Sequence, residues 1–209
     1  QSIVRIIKKK EKDPSLIKNW RPISLINVDT KILSRTIANR VVKVIHKVIG
    51  EEQLAFIKGR NISEGNRTIE YLIQKLEKTG RSGLIASFDL AKAFDTIDHK
   101  YLYNTLKYYN FPPQLINMIK TLYNGAESAV LNNGLTTKYF KLGRSCRQGD
   151  PLSPYLFIMA FEPLIRKLNS DPLIKGINIP NIPLFKCSAF ADDMTAFLQK
   201  GEDLTLTIN

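Results

Sequence analysis

Phe190-Ala191-Asp192-Asp193 sets two adjacent carboxylates between apolar runs. Cys187, Ala189 and Phe190 come before them, and Met194, Ala196, Phe197 and Leu198 follow. The pattern predicts a hairpin with the acidic pair at its tip. Neighbouring carboxylates repel one another and lose hydration beside apolar sequence, so their placement calls for a compensating cation. Hard oxygen ligands select divalent magnesium, or manganese in its place. Two carboxylates alone would hold such an ion weakly. A third is available at Asp89, in the strand-like run Ile85-Ala86-Ser87-Phe88-Asp89-Leu90. Three carboxylates drawn from two strands have the composition of a centre that grips phosphates through a pair of metal ions.

The rest of the composition is compatible with a polyanionic partner. Thirty-one Lys and Arg against nineteen Asp and Glu give a net charge of +12 over 209 residues, which favours nucleic acid. A hydrophobic fraction of 44% is that of a folded domain rather than a disordered chain. No apolar run is long enough to span a bilayer. Cys146 and Cys187 are too few for a zinc knuckle or a disulfide framework and suit a reducing compartment. The chain opens at Gln1 inside an apolar segment, without Met, and reads as a piece of a longer polypeptide.

Outward from the acidic pair, the spacing predicts a short strand from Ser2 to Ile7 and an extended segment around Asn19-Trp20-Arg21-Pro22-Ile23-Ser24-Leu25. Apolar residues at helical spacing from Thr30 to Ile49 predict one basic amphipathic helix ended by Gly50. A second helix starts near Ser63 with Ile69, Leu72, Ile73 and Leu76 as its buried stripe, and Gly80 to Gly83 turns into the Asp89 strand. Asp98 is placed to cap a helix running to about Tyr109, and Pro112-Pro113 separates it from another. Asn132-Asn133-Gly134 marks a hairpin between Ala129–Leu131 and Thr136–Leu142. Arg147-Gln148-Gly149-Asp150-Pro151-Leu152-Ser153-Pro154 opens a helix with Leu156, Phe157, Met159, Ala160, Leu164, Ile165 and Leu168 on its apolar face. Pro172 to Pro183 reads as a loop, and Glu202 to Asn209 as a helix cut short.

The motifs in this order resemble a reverse transcriptase of the non-LTR, LINE-type retrotransposons. The carriers are Asn19-Trp20-Arg21-Pro22-Ile23-Ser24-Leu25, Ala38-Asn39-Arg40, Gly59-Arg60, Phe88-Asp89-Leu90-Ala91-Lys92-Ala93-Phe94-Asp95, the Arg147 to Pro154 loop and Phe190-Ala191-Asp192-Asp193. The resemblance covers nearly the whole chain. It implies an α/β (α+β) right-hand polymerase fold with fingers and palm subdomains and no thumb. Residues 1–83 would be mainly fingers, 84–124 palm with the first catalytic Asp, 125–143 a fingers hairpin and 144–209 palm. The chain departs from the usual pattern at Ile7, Ala55 and Phe190, where Pro, Gly and Tyr are common.

The resemblance further implies RNA-directed DNA polymerisation: two magnesium ions on Asp89, Asp192 and Asp193, an RNA template, a DNA primer and dNTP substrates. Phe94 would lie under the sugar of the incoming nucleotide and exclude a 2′-hydroxyl, although packing is the default for such an aromatic. Gln148 and Gly149 would line the nucleotide pocket, and Arg21 and Lys31 would reach its phosphates. Arg40, Lys58 and Arg60 would contact template and primer backbone, or else be plain surface. Asp95 would brace the turn after its strand. The parent element would be intracellular, in nucleus and cytoplasm as a ribonucleoprotein. A group II intron-type reverse transcriptase, a non-catalytic RNA-binding scaffold and a decayed element copy stand as alternatives.

Overall fold

The computed structural model describes residues 1–178, 184–201 and 207. In chain order the elements begin with β1 (Ser2–Lys8), β2 (Trp20–Ile26), α1 (Val28–Val41), α2 (Ile62–Thr79), β3 (Leu84–Asp89), α3 (Ala93–Thr96) and α4 (His99–Tyr108). There follow α5 (Pro113–Tyr123), β4 (Glu127–Asn132), β5 (Leu135–Thr136), β6 (Phe140–Lys141), α6 (Ser153–Ser170), β7 (Cys187–Phe190) and β8 (Asp193–Leu198). They fall into two units, Gln1–Val44 with Lys92–Ala160, and Ile45–Ala91 with Phe161–Asn209.

In the first unit β1 pairs antiparallel with β2 and parallel with β4. β4 in turn carries β5 and β6 antiparallel. Asn133 (φ 48) and Gly134 (φ 79) give the tight hairpin its two left-handed residues, which the sequence had marked. The expected strand from Thr136 to Leu142 is two short pieces instead. Between them the Thr137 hydroxyl accepts from Val130 N–H at 2.9 Å, a side chain standing in for part of the ladder. The Asp98 carboxylate accepts from Tyr101 N–H at 2.8 Å and starts α4 as expected. Pro at the first turn of α5 loses no helical hydrogen bond, because that N–H has no partner inside a helix.

The single helix expected from Thr30 to Ile49 ends at Val41 and is followed by a 3-10 turn at Ile45–Lys47. Val41, Val42, Val44 and Ile45 are β-branched and crowd the preceding turn, which weakens a helix at this point. The segment after the break is anchored within the second unit. Gly50 N–H donates to Glu162 Oε1 at 2.9 Å, and the Arg166 guanidinium donates to the Val48 carbonyl.

The second unit holds a three-stranded antiparallel sheet in the order β3-β8-β7. Leu72 of α2, Ile177 and Phe197 form its buried cluster, with Ile69, Leu76, Ile85 and Phe185 around it. Full burial of such side chains contributes roughly 1.5–3 kcal/mol each. Ile73, expected in the same stripe, is 42% exposed, because the core touches only the Ile69-Leu72-Leu76 edge of the helix. Gly80 (φ 61) ends α2 in the left-handed conformation, and Arg81 N–H returns to the Leu76 carbonyl at 3.1 Å.

Helix α6 is buried more widely than one face predicts. Leu156, Phe157, Ile158, Met159, Ala160, Phe161, Ile165 and Leu168 are all buried, whereas Leu164, expected in the core, is 39% exposed. The helix expected from Glu202 to Asn209 falls almost wholly outside the described residues. No helix among the described residues is long and apolar enough to cross a membrane.

Candidate active site

Asp89 ends β3, Asp193 begins β8, and the two are direct partners in the antiparallel register. Partners across a ladder project from the same face, with Cβ atoms about 4.5–5.5 Å apart, so two carboxylates leave one edge of the sheet together. Asp193 also pairs with Phe190 of β7, leaving a two-residue turn of Ala191 and Asp192. The tip therefore carries Asp192 alone; Asp193, expected beside it, is a strand residue. The Asp192 carboxyl is held above the ordinary carboxylate range. Partial burial is the largest cause, its own backbone N–H offsets part of it, and the charges of Asp193 and Asp89 push it further up. Like-charge crowding of this kind is relieved by a cation.

The turn is held by a residue that sequence reasoning missed. Ala191 is a non-glycine residue at φ 57, a conformation that must be held by its surroundings. Gln53, fully buried, accepts from Ala191 N–H at 2.9 Å and from Ala55 N–H at 3.0 Å through Oε1, and its Nε2 donates to the Ala191 carbonyl at 3.2 Å. On either side of Gln53 the loop adds to the sheet edge: Ala189 N–H donates to the Glu52 carbonyl and Leu54 N–H to the Ala189 carbonyl, both at 2.8 Å. An uncharged amide between Glu52 and the apolar Leu54-Ala55 pair was the only sign of this in the sequence.

Arg60 belongs to the same loop. Its guanidinium donates to the carbonyls of Gly50 at 2.5 Å, Gln53 at 2.7 Å and Ile49 at 3.4 Å. Those donors are occupied by the loop that carries Gln53, whereas Lys58 stands exposed near by in sequence.

Among the described residues no three His, Cys, Asp or Glu side chains converge into a ready metal cage. Magnesium is commonly bound by one or two carboxylates and completed by water and substrate phosphates. Asp89 and Asp193 in register, with Asp192 adjacent and electrostatically crowded, supply the hard oxygen donors that arrangement needs.

The first unit positions the remaining predicted residues. Phe94 of α3 is half-buried, its ring stacked on Phe157 with centroids 4.5 Å apart and an interplanar angle of 21°. Its carbonyl accepts from Cys146 N–H at 2.7 Å, and Ser145 N–H donates to the Ile97 carbonyl at 2.9 Å, so residues 145 and 146 pin the α3 turn. The Ser145 hydroxyl reaches Asp95 Oδ1 at 3.5 Å. Burial raises the Asp95 carboxyl above its ordinary value, offset by that hydroxyl and by Lys92.

The Gln148-Gly149 loop is braced from two sides within this unit. Ser24 N–H of β2 donates to the Gln148 carbonyl at 3.0 Å. Gly149 sits at φ 98, and a Cβ there would lie 3.1 Å from the Ser24 carbonyl oxygen, so both conformation and space favour glycine. On the other side the fully buried Ser34 of α1 donates to Asp150 Oδ1, which also accepts from Leu152 N–H at 2.9 Å. Ser34 is a second residue that the sequence reading passed over. Arg147, next to the loop, is buried, donates to the Leu122 carbonyl at 2.9 Å and lies 5.1 Å from the Tyr123 ring centroid. Arg21, Lys31 and Arg40 are exposed.

The family model for "Reverse transcriptase (RNA-dependent DNA polymerase)" matches residues 7–209. A transposon TX1 protein of 149 kDa from Xenopus laevis is 38% identical over 198 residues, 93% of this chain and 15% of that protein. The Pol polyprotein of the type-2 retrotransposable element R2DM from Drosophila melanogaster is 29% identical over 191 residues, 91% of this chain and 18% of the relative. The RNA-directed DNA polymerase of the mobile element jockey, from the same fly, is 28% identical over 155 residues, covering 73% of this chain and 17% of its own length. The chain thus spans less than a fifth of each of these relatives. Among solved structures, a telomerase from Candida tropicalis in complex with a telomeric RNA fragment superposes with a TM-score of 0.68 at 11% identity, covering 99% of this chain and 37% of that one.

Proposed function

The chain belongs to the reverse transcriptase (RNA-dependent DNA polymerase) family, of the non-LTR retrotransposon type, and from that premise we propose that it extends a DNA primer along an RNA template. Its fold is a mixed α/β fold related to those of telomerase-type polymerases. The observation that carries the proposal is the Asp89–Asp193 register pair with Asp192 in the adjoining turn. Loss of any one of these would be the mark of a scaffold that had shed its chemistry.

In the proposed reaction the primer 3′-hydroxyl oxygen bonds to the α-phosphorus of the incoming dNTP. The bond between the α- and β-phosphates breaks, pyrophosphate leaves with its electron pair, and the hydroxyl proton passes to solvent. Asp89, Asp192 and Asp193 would hold two magnesium ions, or manganese in their place. Bound there, the ions would neutralise charge on the triphosphate and favour the ionised form of the primer hydroxyl. Gln53 keeps the Ala191-Asp192 turn fixed, so the carboxylates need no reorganisation when substrate arrives.

Phe94 is proposed to exclude the 2′-hydroxyl of ribonucleotides, with Phe157 as the floor that fixes its ring. Gln148 and Gly149 are proposed to face the incoming nucleotide, and Arg21 and Lys31 to meet its phosphates. Arg40 and Lys58 remain candidates for template and primer backbone, while Arg60 is reassigned from that set to bracing the Gln53 loop. In subdomain terms the carboxylate sheet is proposed as palm and the β1–β2 sheet with α1 as fingers.

The test is primer extension on poly(rA)/oligo(dT) with magnesium and dTTP, beside an Asp192→Ala, Asp193→Ala variant. Extension by the parent and none by the variant supports the reading. Equal extension by both sinks the assignment of the carboxylates, and duplex binding without extension under either metal favours a scaffold.

A further inference from the structure

The first unit contains a cavity of 620 Å³ that none of the proposed polymerase roles uses. It lies between α4, α5 and the turn into β4, and its chemistry comes from His99, Tyr103, Asn117, Lys120, Tyr123 and Asn124. The volume falls within the range of pockets that enclose small ligands, about 300–1,000 Å³.

Three features of the lining select its occupant. The first is aromatic surface: the half-buried Tyr103 ring, and His99 packed 4.9 Å from Tyr123, centroid to centroid. His99 is fixed in place, since its Nε2 lies 3.0 Å from the Ser145 carbonyl oxygen. The second is a cation: Lys120 Nζ lies over the Tyr103 ring, 5.5 Å from its centroid, and forms no ion pair among the described residues, so it reaches beside a base that stacks on the ring. The third is a pair of exposed carboxamides, Asn117 and Asn124, each able to donate and accept. No carboxylate lines the cavity.

A flat π-surface, an ammonium without an ion-pair partner among the described residues and amides that match the edge of a base describe a place for one nucleotide with its phosphate. Stacking on an aromatic ring tolerates every base, and a lysine adds a phosphate contact. An acidic peptide would satisfy Lys120 but leave the rings without a partner of their own shape. We infer that this cavity takes an unpaired nucleotide of a single-stranded nucleic acid, the base on Tyr103 and the phosphate on Lys120. The choice of RNA as that strand rests on the polymerase reading above; the pocket chemistry does not.

The experiment uses the whole chain and a short fluorescein-labelled single-stranded RNA, without primer, read by anisotropy. Tyr103→Ala is expected to weaken binding roughly tenfold, and Tyr103→Phe to keep it, because the ring and not the hydroxyl carries the stack. Lys120→Gln is expected to reduce the slope of log affinity against log salt by about 0.7, the contribution of one phosphate contact on a single strand. Unchanged affinity in a folded Tyr103→Ala variant overturns the proposal, as does an equal loss in Tyr103→Phe. Competition by uridine monophosphate at the oligonucleotide's own concentration would overturn the assignment to a strand. Loss of RNA affinity in Tyr103→Ala supports the site even where the parent fails to extend a primer, which keeps this test separate from that of the polymerase reading.

Discussion

Replacing Gln53 by Ala removes one side chain and strands three backbone groups. Ala191 N–H, Ala55 N–H and the Ala191 carbonyl each lose their partner in a region where Gln53 itself is fully buried. An unsatisfied buried donor or acceptor costs about 1–3 kcal/mol, and the carbonyl bond at 3.2 Å is the weakest of the three. Water entering the vacated volume would recover part of this. The net loss is therefore about 3 kcal/mol, a large share of the 5–15 kcal/mol that holds a typical domain together. The turn at Ala191 would also lose what holds its left-handed backbone, so the Asp192 carboxylate would no longer be fixed beside Asp193. Urea denaturation of the variant reads the first effect and primer extension the second. Gln53→Glu keeps the acceptor for both N–H groups but removes the donor to Ala191 and buries a charge, so it does not restore the parent. A loss below about 1 kcal/mol for Gln53→Ala, or a folded variant that extends primers at the parental rate, would refute the reasoning.

Further outcomes follow from the same geometry. Phe94→Val should raise ribonucleotide incorporation relative to deoxyribonucleotide incorporation in competing primer-extension reactions; unchanged discrimination would leave Phe94 as a packing residue on Phe157. Gly149→Ala should destabilise the fold by about 1–2 kcal/mol from the left-handed backbone alone, measured by thermal melting, and more if the Ser24 carbonyl cannot move away. Ser34→Ala should cost about 1–3 kcal/mol, since among the described residues the Asp150 carboxylate would keep only its Leu152 N–H bond while its Oδ2 has no partner. Glu162 holds its proton above the ordinary carboxylate range, chiefly through burial, with Arg166 and Gly50 N–H opposing and Glu52 adding to the rise. Because the folded state binds that proton more tightly than the unfolded one, its contribution to stability falls as pH rises through the folded value. Glu162→Gln should flatten that decline, which a series of melts across the acidic range would show.

Local chemistry was the part of this molecule most legible in its sequence. The Asn133-Gly134 turn, the Asp98 cap and the run from Ile85 to Asp89 each follow from residues within a few positions of one another. The acidic pair was recognised, but its division between turn and strand depends on the register of β3 against β8, which no residue near Asp192 records. Gln53 and Ser34 were missed, and Arg60 was read as a nucleic-acid contact, for one reason. The partners are backbone groups for Gln53 and Arg60 and the distant Asp150 carboxylate for Ser34, and neither kind of bond leaves a signature in the sequence beyond a polar residue. Ile73 and Leu164 show the converse: helical periodicity marks an apolar stripe, but how much of it is covered depends on the width of the neighbouring element. The end of α1 at Val41 was signalled by consecutive β-branched residues, which apolar spacing alone passes over.

The central claim is that Asp89, Asp192 and Asp193 form the metal site of a nucleotidyl transferase. Its most direct test is a manganese titration followed by electron paramagnetic resonance, on the chain with a dideoxy-terminated template–primer and the next dNTP, comparing the parent with Asp89→Asn and Asp193→Asn. The account predicts two bound ions in the parent and loss of binding in both variants. Identical titrations in all three proteins would contradict it.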